Sequence, residues 1–160
     1  MITTETFVSR SITVNAPIER AFAVFTEGFD TWWPRSHHIA DVEMAEAIIE
    51  PRAGGRWYEI DVDGSECDWG KVLVWEPPRR VVFGWQLNHQ WEYDPNLVTE
   101  VEVSFTPVGN AQTRVILEHR NMERFGEAAA AMHQALSSDQ GWVTHLTLFA
   151  KAAAQEPAHA

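Results

Sequence analysis

"SSDQGWVTHLTLFAKAAAQ" (residues 137–155) decides how the rest of the chain is read. Trp142, His145, Leu146 and Phe149 recur at i, i+3, i+4 and i+7, with Ala153 one turn further on, so one stripe of a helix carries them all. Ser137 and Gln140 have the spacing of a capping box at the start of that helix. A stripe of this kind must be buried, and the segments upstream predict a sheet to receive it.

"LVTEVEVSFT" (97–106) alternates cleanly, with Val101, Val103 and Phe105 on one side and Glu100, Glu102 and Ser104 on the other. "QTRVILEH" (112–119) places Thr113, Val115 and Leu117 on one side, with His119 on the same parity. Such half-buried alternation belongs to antiparallel strands. "FVSRSITV" (7–14), "RWYEIDV" (56–62), "ECDWGKVLVW" (66–75) and "RVVFGWQL" (80–87) read the same way. Asp63-Gly64 joins two of them as a hairpin turn, and Gly70 marks a bulge. "VEMAEAIIE" (42–50) suits strand or helix, and Pro51 with Gly54-Gly55 favours strand. After residue 14, Asn15 as N-cap and Pro17 at the first turn open a helix carrying Ala21, Phe22, Val24 and Phe25. "NMERFGEAAAAMHQAL" (121–136) is a further helix, capped by Asn121. The order strand, helix, five or six antiparallel strands and C-terminal helix predicts one α+β domain over residues 1–160, with its core at about 7–154.

The composition narrows the function. Of 160 residues, 45% are hydrophobic and 22% charged, as in ordinary globular proteins. A net charge of −11 disfavours nucleic acid and anionic membrane surfaces as partners. With no apolar run long enough to cross a bilayer and no signal-peptide pattern, the expected location is cytoplasmic. The single cysteine, Cys67, lies between Glu66 and Asp68, which disfavour a thiolate nucleophile. No P-loop, GxGxxG or GxSxG occurs, so no cofactor is expected. Adjacent His37 and His38, near Asp41 and Glu43, lack metal-ligand spacing and read as ordinary loop histidines, so no metal site is assigned.

"VNAPIERAFAVFT", "IEPRAGGRWYE", "GKVLVWEPPRRVVFGW" and "GWVTHLTLFAKAA", in that order, resemble the SRPBCC (START-like, birch-pollen-allergen-like) superfamily. Within it they resemble the branch of homologues of the activator of the 90-kDa heat-shock chaperone ATPase. The resemblance implies a helix-grip fold: a curved antiparallel sheet of six to seven strands wrapped around a long C-terminal helix, with an internal cavity. It also implies either binding of apolar molecules or cyclase and aromatase chemistry. The co-chaperones of the branch carry a further N-terminal domain for which this chain has no room, so chaperone contact is weakly supported.

Eight tryptophans are the chain's chemical signature. Val81, Phe83, Trp85 and Leu87 share one strand face, and Leu73 shares one with Trp75, which the resemblance turns inward. Trp57 and Glu59 share a face that parity alone leaves open between interior and solvent; the family register turns it inward. There Glu59 would be desolvated, with His119 or His145 as partner. Trp32 and Trp33 in "DTWWPRSHH" (30–38), and Trp91 in the 88–96 loop, lie in irregular segments, where they serve as cavity rim or as plugs. The expectation is a binding protein holding an apolar, aromatic small molecule. Trp32, Trp33, Trp57, Trp75, Phe83, Trp85, Trp142 and Phe149 would line its cavity, and Glu59, His119 and His145 would orient a polar group. An enzyme using Glu59 and a histidine, and a homodimeric or chaperone-docking module, are the alternatives.

Overall fold

Alternating strands dominate the chain, and each finds an antiparallel neighbour. A computed structural model describes residues 7–35, 37 and 41–154, with residues 139 and 140 lacking side-chain description. β1 (Phe7–Val14) leads into α1 (Ile18–Thr26) and the short α2 (Phe29–Trp32). Six strands follow: β2 (Met44–Ile49), β3 (Arg56–Asp61), β4 (Glu66–Glu76), β5 (Arg80–Trp85), β6 (Thr99–Val108) and β7 (Gln112–Arg120). A 3-10 segment (Met122–Ala128), α3 (Ala129–Ser137), a π-type turn (Asp139–Val143) and α4 (Thr144–Ala154) close the described chain. The sheet has seven strands in the order β1-β7-β6-β5-β4-β3-β2, and α1, α2 and α4 pack together on its inner face. This is the helix-grip arrangement.

The two halves of the sheet differ in regularity. Pairing from β5 through β6 and β7 to β1 runs without a register shift. Each of the β2–β3, β3–β4 and β4–β5 pairs carries one. A bulge bends its strand and increases local twist, so three in succession curl this half of the sheet around the helices. On β4 the extra residues are Trp69, because Trp57 pairs with Gly70 and Tyr58 with Asp68, and Leu73, because Val72 pairs with Phe83 and Val74 with Val82.

These bulges overturn one parity expectation. Leu73 is 42% exposed, whereas Val72 is buried. Across the Leu73 bulge the phase changes, and Trp75 turns in to meet Phe22 with ring centroids 5.1 Å apart. The Trp69 bulge has the opposite consequence and buries a side chain that strict alternation from Val72 would send outward.

The helix caps also differ from expectation. Pro17, not Asn15, occupies the N-cap position of α1, and Asn15 Oδ1 accepts a hydrogen bond from Gln112 Nε2. Asn121 takes a left-handed conformation (φ 67°) without capping through its side chain. Residues 137–155 do not form one helix from a Ser137–Gln140 box. Ser137 ends α3, where its hydroxyl donates to the His133 carbonyl, and the chain breaks at Gly141 (φ −90°, ψ −134°) before α4. A Cβ on Gly141 would lie 2.3 Å from the Leu136 carbonyl oxygen, so this crossing requires glycine. The stripe itself holds: Trp142, His145, Leu146, Phe149 and Ala153 are all buried.

The outer face is polar over β5, β6 and β7. Arg80 pairs with Glu102, and Arg120 with Glu100 and Glu102, in a ladder across three strands. Among the described residues no helix is long and apolar enough to cross a membrane.

Candidate functional site

Apolar burial brings tryptophans together from five parts of the chain. Trp57 (β3), Trp69 (β4), Trp85 (β5), Trp142 (the π-type turn) and Trp33 (just after α2) are each at most 7% exposed. Their ring centroids form a closed cycle: Trp33–Trp69 5.4 Å, Trp69–Trp57 5.6 Å, Trp57–Trp85 5.6 Å, Trp85–Trp142 5.6 Å and Trp142–Trp33 6.2 Å. Among the described residues no ring contact crosses the cycle. Phe29 stacks on Trp33 at 4.8 Å and lies 6.0 Å from Trp57 and 6.2 Å from Trp69, and Phe83 lies 5.0 Å from Trp57, so phenyl rings back three members of the cycle.

Other aromatic residues pack elsewhere. Trp32 is buried against Phe25 and Phe149, with its N–H donated to the Val24 carbonyl. Both members of the tryptophan pair therefore point inward. Trp75 meets Phe22 and lies outside the cycle. Trp91 is 43% exposed, with φ 61°, and its ring lies 6.3 Å from Trp85, at the outer edge of the cycle.

Polar groups occupy the same interior. Glu59 is fully buried, and its Oε1 accepts the Trp69 N–H at 2.9 Å. Asp61, also buried, accepts at Oδ2 from the Ser65 hydroxyl at 3.2 Å and from the Cys67 thiol at 3.7 Å. One ligand atom each from Glu59, Asp61 and Cys67 lies within 4.8 Å of the others, close enough to share a cation. Burial, reinforced by the charges of Glu59 and Asp61, pushes the Cys67 thiol up to about 11, so it is protonated and unreactive at neutral pH.

The buried histidines are fixed in their tautomers by their neighbours. Trp142 donates its N–H to His119 Nδ1 at 3.2 Å, which leaves the proton on Nε2, facing Thr99 Oγ1 at 2.8 Å; that hydroxyl donates to the Trp85 carbonyl at 3.1 Å. Both nitrogens of His119 are engaged within the protein. His145 donates from Nδ1 to the Gly141 carbonyl at 2.7 Å, so its Nε2 accepts from His37 Nδ1, also at 2.7 Å. His37 is therefore not an incidental loop histidine: it ties the segment after α2 to α4, and Trp33 stacks 4.3 Å from His145 and donates to the His37 carbonyl. His38 lies outside the described residues.

Burial lowers His119 to about 3 and His145 to about 4, both below the ordinary value of 6.5. The unfolded chain takes up these protons as pH falls below 6.5 and the folded chain does not. The stability these neutral rings supply is thus full above 6.5 and is lost progressively towards pH 4 and 3. At pH 5 each costs about 2 kcal/mol relative to neutral pH. Urea midpoints measured between pH 7 and 5 should fall with a slope reporting at least two protons taken up on unfolding. A flat profile would show that the histidines are charged in the folded state.

With this geometry in view, comparison with known proteins is informative. Residues 15–154 match the family described as "Activator of Hsp90 ATPase homolog 1-like protein". The chain belongs to this family. No curated protein matches it. Among solved structures, an anthrahydroquino-γ-pyrone synthase, Txn09, is 38% identical over 94% of this chain and 99% of its own, with a TM-score of 0.65. The self-sacrificing resistance protein CalC from Micromonospora echinospora is 35% identical over 94% of this chain and 96% of its own, with a TM-score of 0.70. An Hsp90 activator from Plasmodium falciparum shares the fold at 21% identity, covering 72% of this chain and 73% of its own with a TM-score of 0.51.

Trp69 and His37 are the site residues the sequence reading omits. A tryptophan immediately before a strand-interior glycine is a bulge signal that could have found Trp69. No pattern marks His37, because its partner is 108 residues away.

Proposed function

We propose that this protein binds an apolar, aromatic small molecule against the inner face of its sheet, within the cycle formed by Trp33, Trp57, Trp69, Trp85 and Trp142. The closed cycle carries the reading: five indole rings follow one another through four edge-to-face contacts and one tilted contact, and among the described residues no indole of the cycle meets another across it. Indole faces so arranged favour a planar aromatic guest by stacking as well as by area burial. Phe83 backs this wall, Trp32 and Phe149 pack beside it, and Trp75 stands apart against Phe22. Glu59 orients a polar group of the guest. His119, which accepts from Trp142, and His145, which lies against Trp33, each have both nitrogens engaged within the protein and act as positioning residues. The likeness to a synthase named for a fused aromatic product supports an aromatic guest.

Equilibrium titration with 1-aminoanthracene tests this reading. One equivalent should bind with energy transfer from tryptophan, and Trp33→Ala should weaken binding about tenfold or more, about 1.4 kcal/mol. No saturable binding, or binding indifferent to Trp33, would refute it.

The 38% identity to a synthase favours a second reading on the same site, in which Glu59 exchanges a proton with the bound molecule. Glu59→Gln should then abolish turnover while leaving binding of the aromatic probe within about threefold. Loss of both together would assign Glu59 to binding alone. A protein-docking module is disfavoured by burial: six of the eight tryptophans are buried, Trp75 is half-buried, and Trp91 alone is exposed. A chaperone partner draws its support from the family description alone.

A further inference from the structure

We infer that the molecule bound in the tryptophan cycle is a planar aromatic ketone or quinone, whose carbonyl oxygen accepts hydrogen bonds from the indole N–H groups of Trp57 and Trp85. The inference rests on the ligand-binding reading above and names the chemistry of the ligand. Three of the five indoles in the cycle have acceptors within the protein. Trp33 donates to the His37 carbonyl at 2.8 Å, Trp69 to Glu59 at 2.9 Å and Trp142 to His119 at 3.2 Å. Trp32, outside the cycle, donates to the Val24 carbonyl at 2.9 Å. Trp57 Nε1 and Trp85 Nε1 are buried with no acceptor among the described residues.

Their placement makes this a pair rather than two accidents. Trp57 on β3 and Trp85 on β5 both pair with Gly70 of β4, which puts no side chain between them, and their ring centroids are 5.6 Å apart. Around them stand Phe29, Phe83 and the other indoles, which offer hydrocarbon and ring faces. A buried N–H that has lost water without gaining an acceptor is costly, and native interiors rarely leave one so. Two such donors on neighbouring indoles, in the cycle that the ligand-binding reading assigns to the guest, call for an acceptor that the guest brings.

The charge of the surroundings selects among acceptors. Glu59 and Asp61 are both buried in the same interior, and Glu59 already holds the neighbouring Trp69. A carboxylate or phenolate guest would add negative charge beside these groups at low dielectric. A neutral carbonyl satisfies the indole donors without that penalty. On a fused aromatic frame it lies in the ring plane, so the frame can stack on the cycle while its oxygen reaches the N–H edge.

Fluorene and 9-fluorenone share one tricyclic skeleton and differ by a single carbonyl oxygen, which makes them the probes for equilibrium dialysis against the full chain. Fluorenone should bind about tenfold more tightly than fluorene. Replacing Trp57 or Trp85 with β-(3-benzothienyl)alanine puts sulfur in place of the N–H at nearly unchanged shape. Each replacement should shrink the fluorenone-over-fluorene preference, measured for both probes on the same variant, towards unity. Equal affinity of the unmodified protein for the two probes overturns this inference alone and assigns the two N–H groups to the ring faces of their neighbours. A fluorenone preference that survives both replacements overturns it as well. Binding of neither probe overturns the ligand-binding reading, and this inference with it.

Discussion

Gly70→Ala is expected to leave the protein unfolded under conditions in which the native sequence is stable. A Cβ at this position would lie 1.6 Å from the Gly84 carbonyl oxygen and 2.8 Å from its carbon. The obstacle is backbone of the neighbouring strand, so no rotamer change relieves it. Moving β4 away from β5 would break the Gly70–Trp85 pairing and disturb the bulge that aims Trp69 inward. The cost should exceed about 4 kcal/mol, a large part of a typical domain's stability. Gly64→Ala is the control. Gly64 has φ +87° in the β3–β4 turn with nothing within 4 Å of the added methyl, and should cost only about 1–2 kcal/mol. Chemical denaturation followed by circular dichroism distinguishes the two, and a Gly70→Ala protein with a native midpoint would show that the strands separate easily.

Trp142→Ala should do damage of comparable size for a different reason. The indole is 3% exposed, touches Trp33 and Trp85, and supplies the proton that His119 Nδ1 accepts. Truncation opens the cycle, leaves a cavity and strands a fully buried imidazole nitrogen. Together these should cost about 4–6 kcal/mol, from about 3–5 for the lost ring and about 1–3 for the orphaned acceptor, with partial overlap. Binding of 1-aminoanthracene should be lost with it. Trp142→Phe keeps an aromatic ring in the cycle but removes the N–H. It should cost about half as much and allow the His119 ring to titrate nearer its ordinary range, a change that histidine NMR shifts can follow. A His119 signal unmoved in Trp142→Phe would show that burial alone holds the ring neutral.

Much of this architecture was legible in the chain. Alternation in β6 and β7 placed Val101, Val103, Phe105, Val115 and Leu117 correctly, because a regular antiparallel pair preserves period two along its length. The stripe Trp142–Ala153 was legible for the same reason at period 3.6. Failures cluster where the period breaks. Leu73 was misplaced and Trp69 overlooked because each is the extra residue of a bulge, which moves side chains between faces. Asn121 looked like a cap by residue type, but with its backbone left-handed at the β7 exit its side chain makes no capping hydrogen bond.

The candidate site divides along the same line. That the interior would be rich in tryptophan, and that His119 and His145 would share it, follows from residue types and from faces of regular elements. Parity leaves Glu59 open, and only the family resemblance turns it inward, where the structure buries it. Which tryptophans close a cycle, which indole N–H groups find an acceptor, and that His37 meets His145, depend on contacts between segments far apart in the chain. Local periodicity assigns a side chain to a face. It carries no information about what stands opposite, because bulges, breaks at glycine and the packing of α2 against β2 and α4 set those distances together.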